Sequence, residues 1–304
     1  MEEKKEVCGV IPVNKHAGCT SLDIVNMIRR LYGTRRVGHT GTLDPMATGV
    51  LTVLIGRAAK AADLIVNDRK HYRAALRLGI ATDTEDTTGK VLSLCEEIPC
   101  VERVTEVCRS FVGEISQVPP MYSALKVGGK KLVDLARQGI EVERKARQIT
   151  IYSLKVTPTD RNDEYILDVE CSGGTYIRTL CADIGAALGC GGAMASLERR
   201  SCGGFDISES FTAEALGKMS EEERLSCLRP VESLFEDMPQ VRLEPFYERL
   251  CRSGCEIYQK KIGTEFHVGE RIRISGKNGF FALGEVREYP DGSAVKAVKL
   301  FELN

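Results

Sequence analysis

Residues 38–49 have the sequence GHTGTLDPMATG and are followed at once by VLTVLI at 50–55. The first segment is dense in glycine and threonine, which is typical of a loop, and the second is a continuous apolar run, which is typical of a buried strand. The loop places one carboxylate, Asp44, before Pro45, among glycines that allow another backbone or a ligand to approach closely. Asp44 is therefore a candidate functional residue, although its position also suits an ordinary aspartate that stabilises a turn.

The glycines of this loop do not complete a nucleotide-binding signature. Neither the pattern G-x-x-x-x-G-K-[ST] of phosphate-binding loops nor the G-x-G-x-x-G fingerprint of dinucleotide sites occurs in 38–49. A site for a nucleoside triphosphate is therefore disfavoured. The carboxylate of Asp44 is the reactive group that this loop offers.

The composition of the 304-residue chain excludes several classes of protein. Lys and Arg number 42 against 43 Asp and Glu, so the formal net charge is −1; this excludes a histone-like polycation but not a local basic face. Apolar runs stay well short of the about 20 residues of a membrane span, and the N-terminal sequence MEEKKEVCGVIPVNK has no signal-peptide pattern. We therefore expect a soluble, cytoplasmic protein without a membrane partner.

The twelve cysteines do not follow a metal-binding pattern. The sequence has no C-x-x-C; the closest pair is Cys251 and Cys255, and the only nearby histidine is His267. Structural zinc needs tight Cys/His pairs in matched sets, and a disulfide scaffold needs an oxidising compartment. Most of the cysteines have apolar neighbours, so we expect small buried side chains and no metal site.

The order of the elements predicts an α+β fold with a mixed, mainly antiparallel sheet and flanking helices. Residues 20–32 predict a helix that Thr20 or Ser21 caps, residues 70–78 alternate as a strand, and residues 81–90 have the composition of a loop. Strands and helices are intermixed without regular βαβ alternation, which disfavours a parallel sheet. The other predicted elements are helices at about 57–66, 101–112 and 176–188, and strands at 148–157 and 164–171.

The chain is predicted to have two domains. Residues 1–237 form the larger one, in which 118–139 is an excursion with a Pro-Pro start, a Gly-Gly break and a short basic helix. Residues 208–237 carry eight acidic against three basic side chains and are predicted to be a helical connector. In residues 238–304, short apolar runs are separated by Gly-rich turns, which predicts a small β-rich domain.

Two further segments carry candidate functional residues. In KHYRAAL, alternation places Tyr72 and Arg73 on opposite faces of a strand, and Tyr72 can equally be a core aromatic with its hydroxyl at the rim. In CSGGTYIRTL (171–180), two glycines clear space beside Tyr176 and Arg178. An arginine at a helix start opposes the helix dipole, so we expect Arg178 to have an anionic partner such as a carboxylate.

Taken in order, these segments resemble the bacterial TruB family, the tRNA pseudouridine synthases that convert the T-loop uridine at tRNA position 55. GVIPVNKHAGCTS is similar to the family's opening V-N-K-P-x-G-x-[ST]-S, and GHTGTLDPMATGVL is similar to its catalytic signature. The resemblance continues through YRAALRLGIATDTEDTTGKV, PPMYSALKVGGKKLVDLARQGIEV, CSGGTYIRTLCADIG and SLERRSCGGF, and it covers about residues 8–210. It implies the pseudouridine synthase fold, whereas the C-terminal residues resemble only a small β domain of the PUA type.

The resemblance also implies a mechanism and the residues that carry it. Asp44 would be the nucleophile acting on a uridine flipped out of the T loop, Arg178 would pair with Asp44, and Tyr72 would pack on the uracil and remove the C5 proton. The reaction would need no metal and no cofactor, the partner would be the T arm of tRNA, and the protein would be a monomer. The residues implied to bind the uridine or the RNA are His39, Tyr176, Leu197, Lys15, Lys126, Lys130, Lys131 and Arg137, with Arg35, Arg36 and Arg57 as further phosphate contacts.

Two positions depart from the family pattern. His16 follows Lys15 where the family has proline, which loosens the turn, and Gly173 stands where many relatives have lysine, which removes one cationic contact. Two other functions stay open: an RNA-binding or RNA-folding protein, which Asp44 alone distinguishes from an enzyme, and a phosphate-binding enzyme built on the Gly/Thr loop. A product assay on unmodified tRNA, with and without ATP and magnesium, separates the three.

Overall fold

The computed structural model describes residues 6–65 and 69–301, which form two main β-sheets with helices around them. The strands are β1 (Gly9–Lys15), β2 (Val37–His39), β3 (Thr48–Ile55), β4 (Lys70–Leu78), β5 (Ile80–Thr82), β6 (Val91–Leu94), β7 (Gly113–Gln117), β8 (Lys126–Val127), β9 (Lys130–Lys131), β10 (Arg147–Pro158), β11 (Glu164–Cys171), β12 (Gly192–Cys202), β13 (Phe205–Asp206), β14 (Phe211–Thr212), β15 (Gln240–Arg242), β16 (Ile257–Tyr258), β17 (Arg271–Gly276), β18 (Gly279–Tyr289) and β19 (Gly292–Leu300).

The helices are mostly short, and the last two of them pack against the smaller sheet rather than the larger one. They are α1 (Ser21–Leu31), α2 (Val101–Arg109), α3 (Leu132–Ala136), α4 (Ile177–Leu188), α5 (Ala213–Lys218), α6 (Glu221–Ser226), α7 (Pro245–Arg252) and α8 (Gln259–Ile262), with 3-10 helices at Gly56–Ala61, Ile207–Glu209 and Val231–Phe235. Within the described residues, no helix combines the length and the apolar character needed to cross a membrane.

The larger sheet brings the Gly/Thr loop of residues 38–49 and its neighbours to its middle. Its strand order is β14-β1-β3-β12-β4-β11-β10-β7, with β2 attached to β3 and β13 to β12. Most neighbours are antiparallel, while β1 with β14 and β3 with β12 are parallel. The prediction of an α+β fold with a mixed, mainly antiparallel sheet is therefore confirmed. The segment that enters β3, the start of β4 and the end of β12 lie side by side.

The start of α1 is fixed by a capping box. The hydroxyl of Thr20 accepts the backbone N–H of Asp23 at 3.2 Å, and the carboxylate of Asp23 accepts the backbone N–H of Thr20 at 2.8 Å. Ile24 and Ile28 lie on the buried face of the helix and pack on the sheet. The helix predicted over 20–32 is thereby confirmed.

Three predicted elements differ in the structure. The helix predicted at 57–66 is a short 3-10 helix over Gly56–Ala61, and residue 66 lies outside the described residues. The helix predicted to run to 112 ends at Arg109, because Gly113 takes a φ of +113° and starts β7. The segment predicted as a loop over 81–90 forms the turn of a hairpin, since β5 and β6 pair at its two ends.

Six of the ten strands described for the larger sheet were not predicted, and two of these, β1 and β12, border the site. β1 pairs with β3 along its whole length, and its seven residues are nearly all buried. β12 lies between β3 and β4 and contains Arg199, which is only 1% exposed. A buried arginine breaks the alternation by which a strand is recognised in a sequence.

The smaller sheet has the order β15-β17-β18-β19-β16 and its own apolar core. It meets the larger unit at an aromatic cluster, in which Phe235 lies 6.0 Å from Phe301 and 6.3 Å from Phe280 between ring centroids. This strongly curled β-sheet is consistent with a PUA-like domain. The division at 237/238 stays a prediction, and the first strand of this sheet begins at Gln240.

Candidate active site

Asp44 and Arg178 form a two-point ion pair at the middle of the larger sheet. Nε of Arg178 lies 2.9 Å from Oδ2 of Asp44, and Nη2 donates to Oδ1 at 3.2 Å. Asp44 is in the loop before β3, and Arg178 is the second residue of α4. A fork-to-carboxylate pair of this kind fixes direction as well as charge. The anionic partner expected for Arg178 is thus a carboxylate, and it is Asp44.

The guanidinium of Arg178 is also held by two backbone carbonyls. Nη1 donates to the carbonyl of Thr84 at 3.1 Å, and Nη2 donates to the carbonyl of Tyr122 at 2.8 Å. The residue is only 5% exposed. Two separate segments of the chain therefore set the position of this side chain, and the side chain in turn sets the direction of the Asp44 carboxylate.

Asp44 keeps some contact with solvent, since its side chain is 31% exposed. Burial raises the pKa of Asp44 above the ordinary value for aspartate, and the nearby charge of Asp86 adds to the rise; Arg178 and, more weakly, Lys15 lower it. Because burial opposes ionisation, the guanidinium of Arg178 is the main group that keeps this carboxyl charged. A charged carboxylate that is partly exposed to solvent can contact a bound ligand and react with it.

Lys15 lies directly beneath the loop, and its position differs from the prediction. Its ammonium donates to the carbonyls of His16 at 3.0 Å, Cys19 at 2.8 Å and Pro45 at 3.2 Å, and the residue is 0% exposed. Burial lowers the pKa of Lys15. The prediction that Lys15 contacts RNA therefore needs correction: the lysine points into the protein and ties β1 to the residue that follows Asp44.

A second tie holds the other side of the same loop. The hydroxyl of Ser21 donates to the carbonyl of Leu43 at 3.2 Å and accepts the N–H of Leu43 at 2.9 Å. The backbone N–H of Gly18 donates to the carbonyl of Pro45 at 2.9 Å. The residues on both sides of Asp44 are thus fixed by the end of β1 and the start of α1, so the loop holds the backbone of Asp44 in one position.

Tyr72 and Leu197 lie on neighbouring strands and share the core beside the loop. Tyr72 is 6% exposed and Leu197 is 8% exposed, whereas Arg73 points to the opposite, exposed face, as the alternation predicted. Burial raises the pKa of the Tyr72 phenol, and the positive charges of Arg199 and Lys70 oppose that rise. A phenol in this environment is protonated at neutral pH but has cations beside it.

His39 ends β2 at the edge of the loop. Its Nδ1 accepts the backbone N–H of Gly41 at 3.2 Å, so the neutral ring carries its proton on Nε2. Burial lowers the pKa of His39, and the positive charge of Arg199 lowers it further. Tyr176 is half-buried and occupies the N-cap position of α4, two residues before Arg178. Tyr176 thus lies near the charges of Asp44 and Arg178, Tyr72 and Leu197 share a core cluster with Leu43 and Ala47 of the loop, and His39 lies where β2 meets the loop.

The basic side chains of the excursion are placed apart from this centre. β8 and β9 form a hairpin that continues into α3, and Leu132 and Leu135 of α3 are buried anchors. Basic side chains on the hairpin and helix are exposed and line one groove with Asp134 and Gln138; these are Lys126, Lys130, Lys131 and Arg137. Of the other predicted phosphate contacts, Arg35 is exposed, while Arg36 and Arg57 form ion pairs with Glu6 at 3.2 and 3.3 Å.

Two residues of the site were missed from the sequence. Asp86 is 6% exposed, and its Oδ1 accepts three hydrogen bonds, from the hydroxyls of Thr84 and Thr88 and from the N–H of Thr88. Arg199 donates to the carbonyls of Val50 at 2.7 Å and Gly41 at 3.0 Å. The closely spaced threonines around Asp86 are a signal for a side-chain-stabilised turn, but the sequence has no signal for a buried arginine.

The cysteines and acidic residues form no metal-like cluster in the described part of the chain. Groups of three or more His, Cys, Asp or Glu side chains able to hold an ion were not found there. All twelve cysteines are free thiols; six of them, including Cys251, are buried, while Cys255 is exposed. The prediction of small buried cysteines therefore holds for half of them.

The chain matches the models of two families over most of the larger unit. Residues 29–177 match the N-terminal domain of the TruB family pseudouridylate synthases, and residues 178–236 match the C-terminal domain of tRNA pseudouridylate synthase B. Among similar proteins, tRNA pseudouridine synthase B of Clostridium tetani is 41% identical over 279 residues, which cover 91% of this chain and 95% of that protein. The protein of the same name from Clostridium kluyveri is 42% identical over 296 residues, covering 96% and 99%.

Solved structures show the same fold at lower identity. A Cbf5-Nop10-Gar1 complex contains a chain that is 25% identical and superposes with a TM-score of 0.74, covering 97% of this chain and 85% of that one. A structure of an H/ACA RNP bound to a substrate RNA containing 2′-deoxyuridine contains a chain with 22% identity and a TM-score of 0.72.

Proposed function

Because the chain belongs to the TruB family and is a tRNA pseudouridine synthase, which isomerises uridine to pseudouridine in tRNA, we propose that Asp44 is its catalytic carboxylate. We further propose that the target is the T-loop uridine at tRNA position 55. The rigid loop that holds Asp44 against Arg178 with one side open to a ligand supports the first proposal, and the match to tRNA pseudouridine synthase B over most of the chain supports the second.

The reaction breaks the N1–C1′ bond, rotates the uracil and joins C5 to C1′. It is an internal rearrangement, so electrons balance without an oxidant or reductant: N1 ends with a proton, and the proton on C5 leaves. An ionised carboxylate can bond to one fragment or stabilise the positive charge left on the sugar. Asp44 is the charged carboxylate placed for either role.

Arg178 would keep Asp44 ionised and correctly directed. Burial alone would favour the neutral acid, and the pair at 2.9 and 3.2 Å opposes that tendency. Because the same guanidinium binds the carbonyls of Thr84 and Tyr122, it cannot follow Asp44 freely. The carboxylate is thus presented in one orientation, which favours attack on a single position.

Tyr72, Tyr176 and Leu197 would form the walls of the uracil pocket. Flipping a base out of the T loop costs a few kcal/mol of stacking, and apolar or aromatic walls recover part of that cost. Burial raises the pKa of Tyr72, and the cations Arg199 and Lys70 oppose that rise; the phenol would accept the proton from C5 in its minor ionised form, which these cations favour. His39, at the edge of the loop, would occupy the space that the flipped base leaves or contact the displaced base.

The RNA itself would be held by the basic hairpin and α3. The exposed cations there, Lys126, Lys130, Lys131 and Arg137, would contact phosphates of the T arm, with Arg35 and Arg36 as a second site. Residues 238–304 would form a separate PUA-like RNA-binding domain, and the protein would act as a monomer on one tRNA. Gly173 carries no side chain, so the cationic contact that a lysine at this position would make with phosphate is absent.

Replacing Asp44 with Asn tests the central assignment. The amide keeps the shape of the side chain but removes the charge, so pseudouridine formation on an unmodified tRNA transcript should fall below detection while tRNA binding survives. Asp160→Asn, at an exposed turn, is the matched control and should remain active. A transcript with cytidine at position 55 should give no product. Turnover by Asp44→Asn, or product from that transcript, would refute the corresponding assignment.

A further inference from the structure

The backbone of Tyr176 makes two hydrogen bonds with one buried side chain, that of Gln117 at the end of β7. The N–H of Tyr176 donates to Oε1 of Gln117 at 2.8 Å, and Nε2 of Gln117 donates to the carbonyl of Tyr176 at 3.1 Å. Gln117 is only 2% exposed. Its carboxamide therefore makes both hydrogen bonds that a neighbouring strand would otherwise make with this residue.

The two hydrogen bonds with Gln117 are made at the N-terminus of α4, where no side chain of the helix itself provides a cap. Tyr176 is the N-cap residue, with φ −101° and ψ 109°, and its side chain does not accept a hydrogen bond from the first turn. The carbonyl of Tyr176 also accepts the N–H of Leu180 at 3.0 Å, as the first hydrogen bond of the helix. Gln117 thus fixes the point from which the helix starts, and Arg178 is the second residue of that helix.

The segment that follows Gln117 reaches the other end of the same arginine. The carbonyl of Tyr122 accepts Nη2 of Arg178 at 2.8 Å, on the nitrogen that also binds Oδ1 of Asp44. One residue later, the carbonyl of Ser123 accepts the N–H of Val133 in α3 at 3.1 Å. Residues 117–123 therefore hold both the backbone ahead of Arg178 and its guanidinium, and they connect to the basic hairpin and helix.

We propose that Gln117 is a positioning residue for the isomerisation: its two hydrogen bonds to Tyr176 set where Arg178 meets Asp44. These two bonds, together with the bond from Arg178 to the carbonyl of Tyr122, are called the clamp below. The inference rests on the proposed roles of Asp44 and Arg178. If the start of α4 shifts, the guanidinium loses its two-point contact with the carboxylate. Asp44 then binds a proton more readily and points less accurately.

If Gln117 had only a structural role, the expected effects of its replacement would be different. It would contribute to stability, but once the protein is folded its loss would leave the chemical step and its pH dependence unchanged. The two roles are therefore separated by the pH profile of the single-turnover rate, measured with saturating tRNA well below the unfolding temperature of each variant.

Two variants and one control test the clamp. Gln117→Met keeps a side chain of similar length without charge and removes both hydrogen bonds; Gln117→Glu keeps the acceptor but sets an oxygen against the carbonyl of Tyr176. Gln148→Glu makes the same change at an exposed position on β10, the neighbour of β7. We expect the single-turnover rate of both Gln117 variants to fall about 10- to 100-fold, with KM for tRNA within about twofold and the acidic limb of the pH profile at higher pH.

The outcomes distinguish this inference from the assignment on which it rests. If Asp44→Asn is inactive and Gln117→Met matches the wild-type rate and pH profile, the clamp is refuted and the assignment of Asp44 stands. If Asp44→Asn is active, the assignment itself fails. A slower rate in Gln117→Met with an unshifted acidic limb would also overturn the proposal, because the Asp44–Arg178 pair would then be intact.

Discussion

The ammonium of Lys15 lies 3.2 Å from the carbonyl oxygen of Pro45, the residue next to Asp44, and none of the lysine is exposed. A lysine that the family resemblance implies to bind the substrate thus holds the loop of Asp44 from below. The contact explains why a charged residue at the end of β1 can be buried, since three carbonyls surround its ammonium.

Lys15→Met tests this role against phosphate binding. The variant removes the donor to three carbonyls; an unsatisfied buried acceptor costs about 1–3 kcal/mol, and removal of the buried charge offsets part of that cost. We expect lower stability and a slower chemical step, with an unchanged salt dependence of tRNA binding. A phosphate contact would instead make the slope of log K against log salt shallower by roughly 0.7–0.9, which binding titrations at several salt concentrations would reveal.

Tyr72→Phe separates binding from the late proton transfer. The ring stays in the core that it shares with Leu197, so tRNA affinity should change little. Because the phenol is proposed to accept the C5 proton, the reaction should stall before product release, with product formation slowed by about 100-fold or more. Quench-flow assays with product analysis measure this step. Tyr152→Phe removes the hydroxyl of an exposed tyrosine beneath Arg69 and serves as the control. Normal turnover by Tyr72→Phe would show that its hydroxyl is not the acceptor.

The parts of the site that the sequence predicts are those with local signals. The Gly/Thr loop around Asp44 and the arginine at the wrong end of α4 each stand out against a rule for short segments, and they meet in the structure. β12 does not stand out, because Arg199 occupies a buried position where alternation requires an apolar side chain.

The parts that were missed depend on partners far away in the chain. Gln117 is an ordinary polar residue after a short strand until Tyr176, 59 positions later, lies against it. The burial of Lys15 depends in the same way on Pro45, 30 positions later. Composition and periodicity describe neighbours in sequence, so they cannot assign either side chain to the interior.

The partly buried carboxyl of Glu85 should make the free energy of unfolding depend on pH. Its backbone is in the left-handed region at φ +63°, and its carboxylate accepts the hydroxyl of Thr179, beside Arg178, at 2.5 Å. Burial raises the pKa of Glu85 above its ordinary 4.5, although Thr179 and Arg178 oppose the rise. Above pH 4.5 the folded state therefore holds this proton more tightly than the unfolded state, and the Glu85 contribution to stability falls as pH rises through that window.

Glu85→Gln removes this ionisation and keeps an acceptor for Thr179. Relative to wild type, the variant should gain free energy of unfolding as pH rises from below 4.5 toward neutrality, as measured by chemical denaturation at each pH. Glu96→Gln, at an exposed position, is the matched control for the loss of one carboxylate. A Glu85→Gln difference that is constant with pH would mean that the carboxyl is not held above its ordinary pKa.

The last prediction concerns the adjacent cations Lys130 and Lys131 of β9. Both are exposed, and they line the groove that Lys126 and Arg137 share, so phosphates of a bound RNA can approach all four. Lys130→Ala combined with Lys131→Ala should raise KM and make the slope of log K against log salt shallower by roughly 0.7–0.9 per lost contact. The single-turnover rate at saturating tRNA should stay near the wild-type value.

Two comparisons sharpen this test. An isolated T-arm hairpin should lose as much affinity as full-length tRNA, because the contact is local, and Lys218→Ala, at an exposed position of α5, should leave the salt slope unchanged. Unchanged binding with a slower chemical step would mean that the hairpin acts on the active site through residues 117–123 rather than by holding the RNA backbone. That route exists physically, since the carbonyl of Ser123 binds α3 and the carbonyl of Tyr122 binds Arg178.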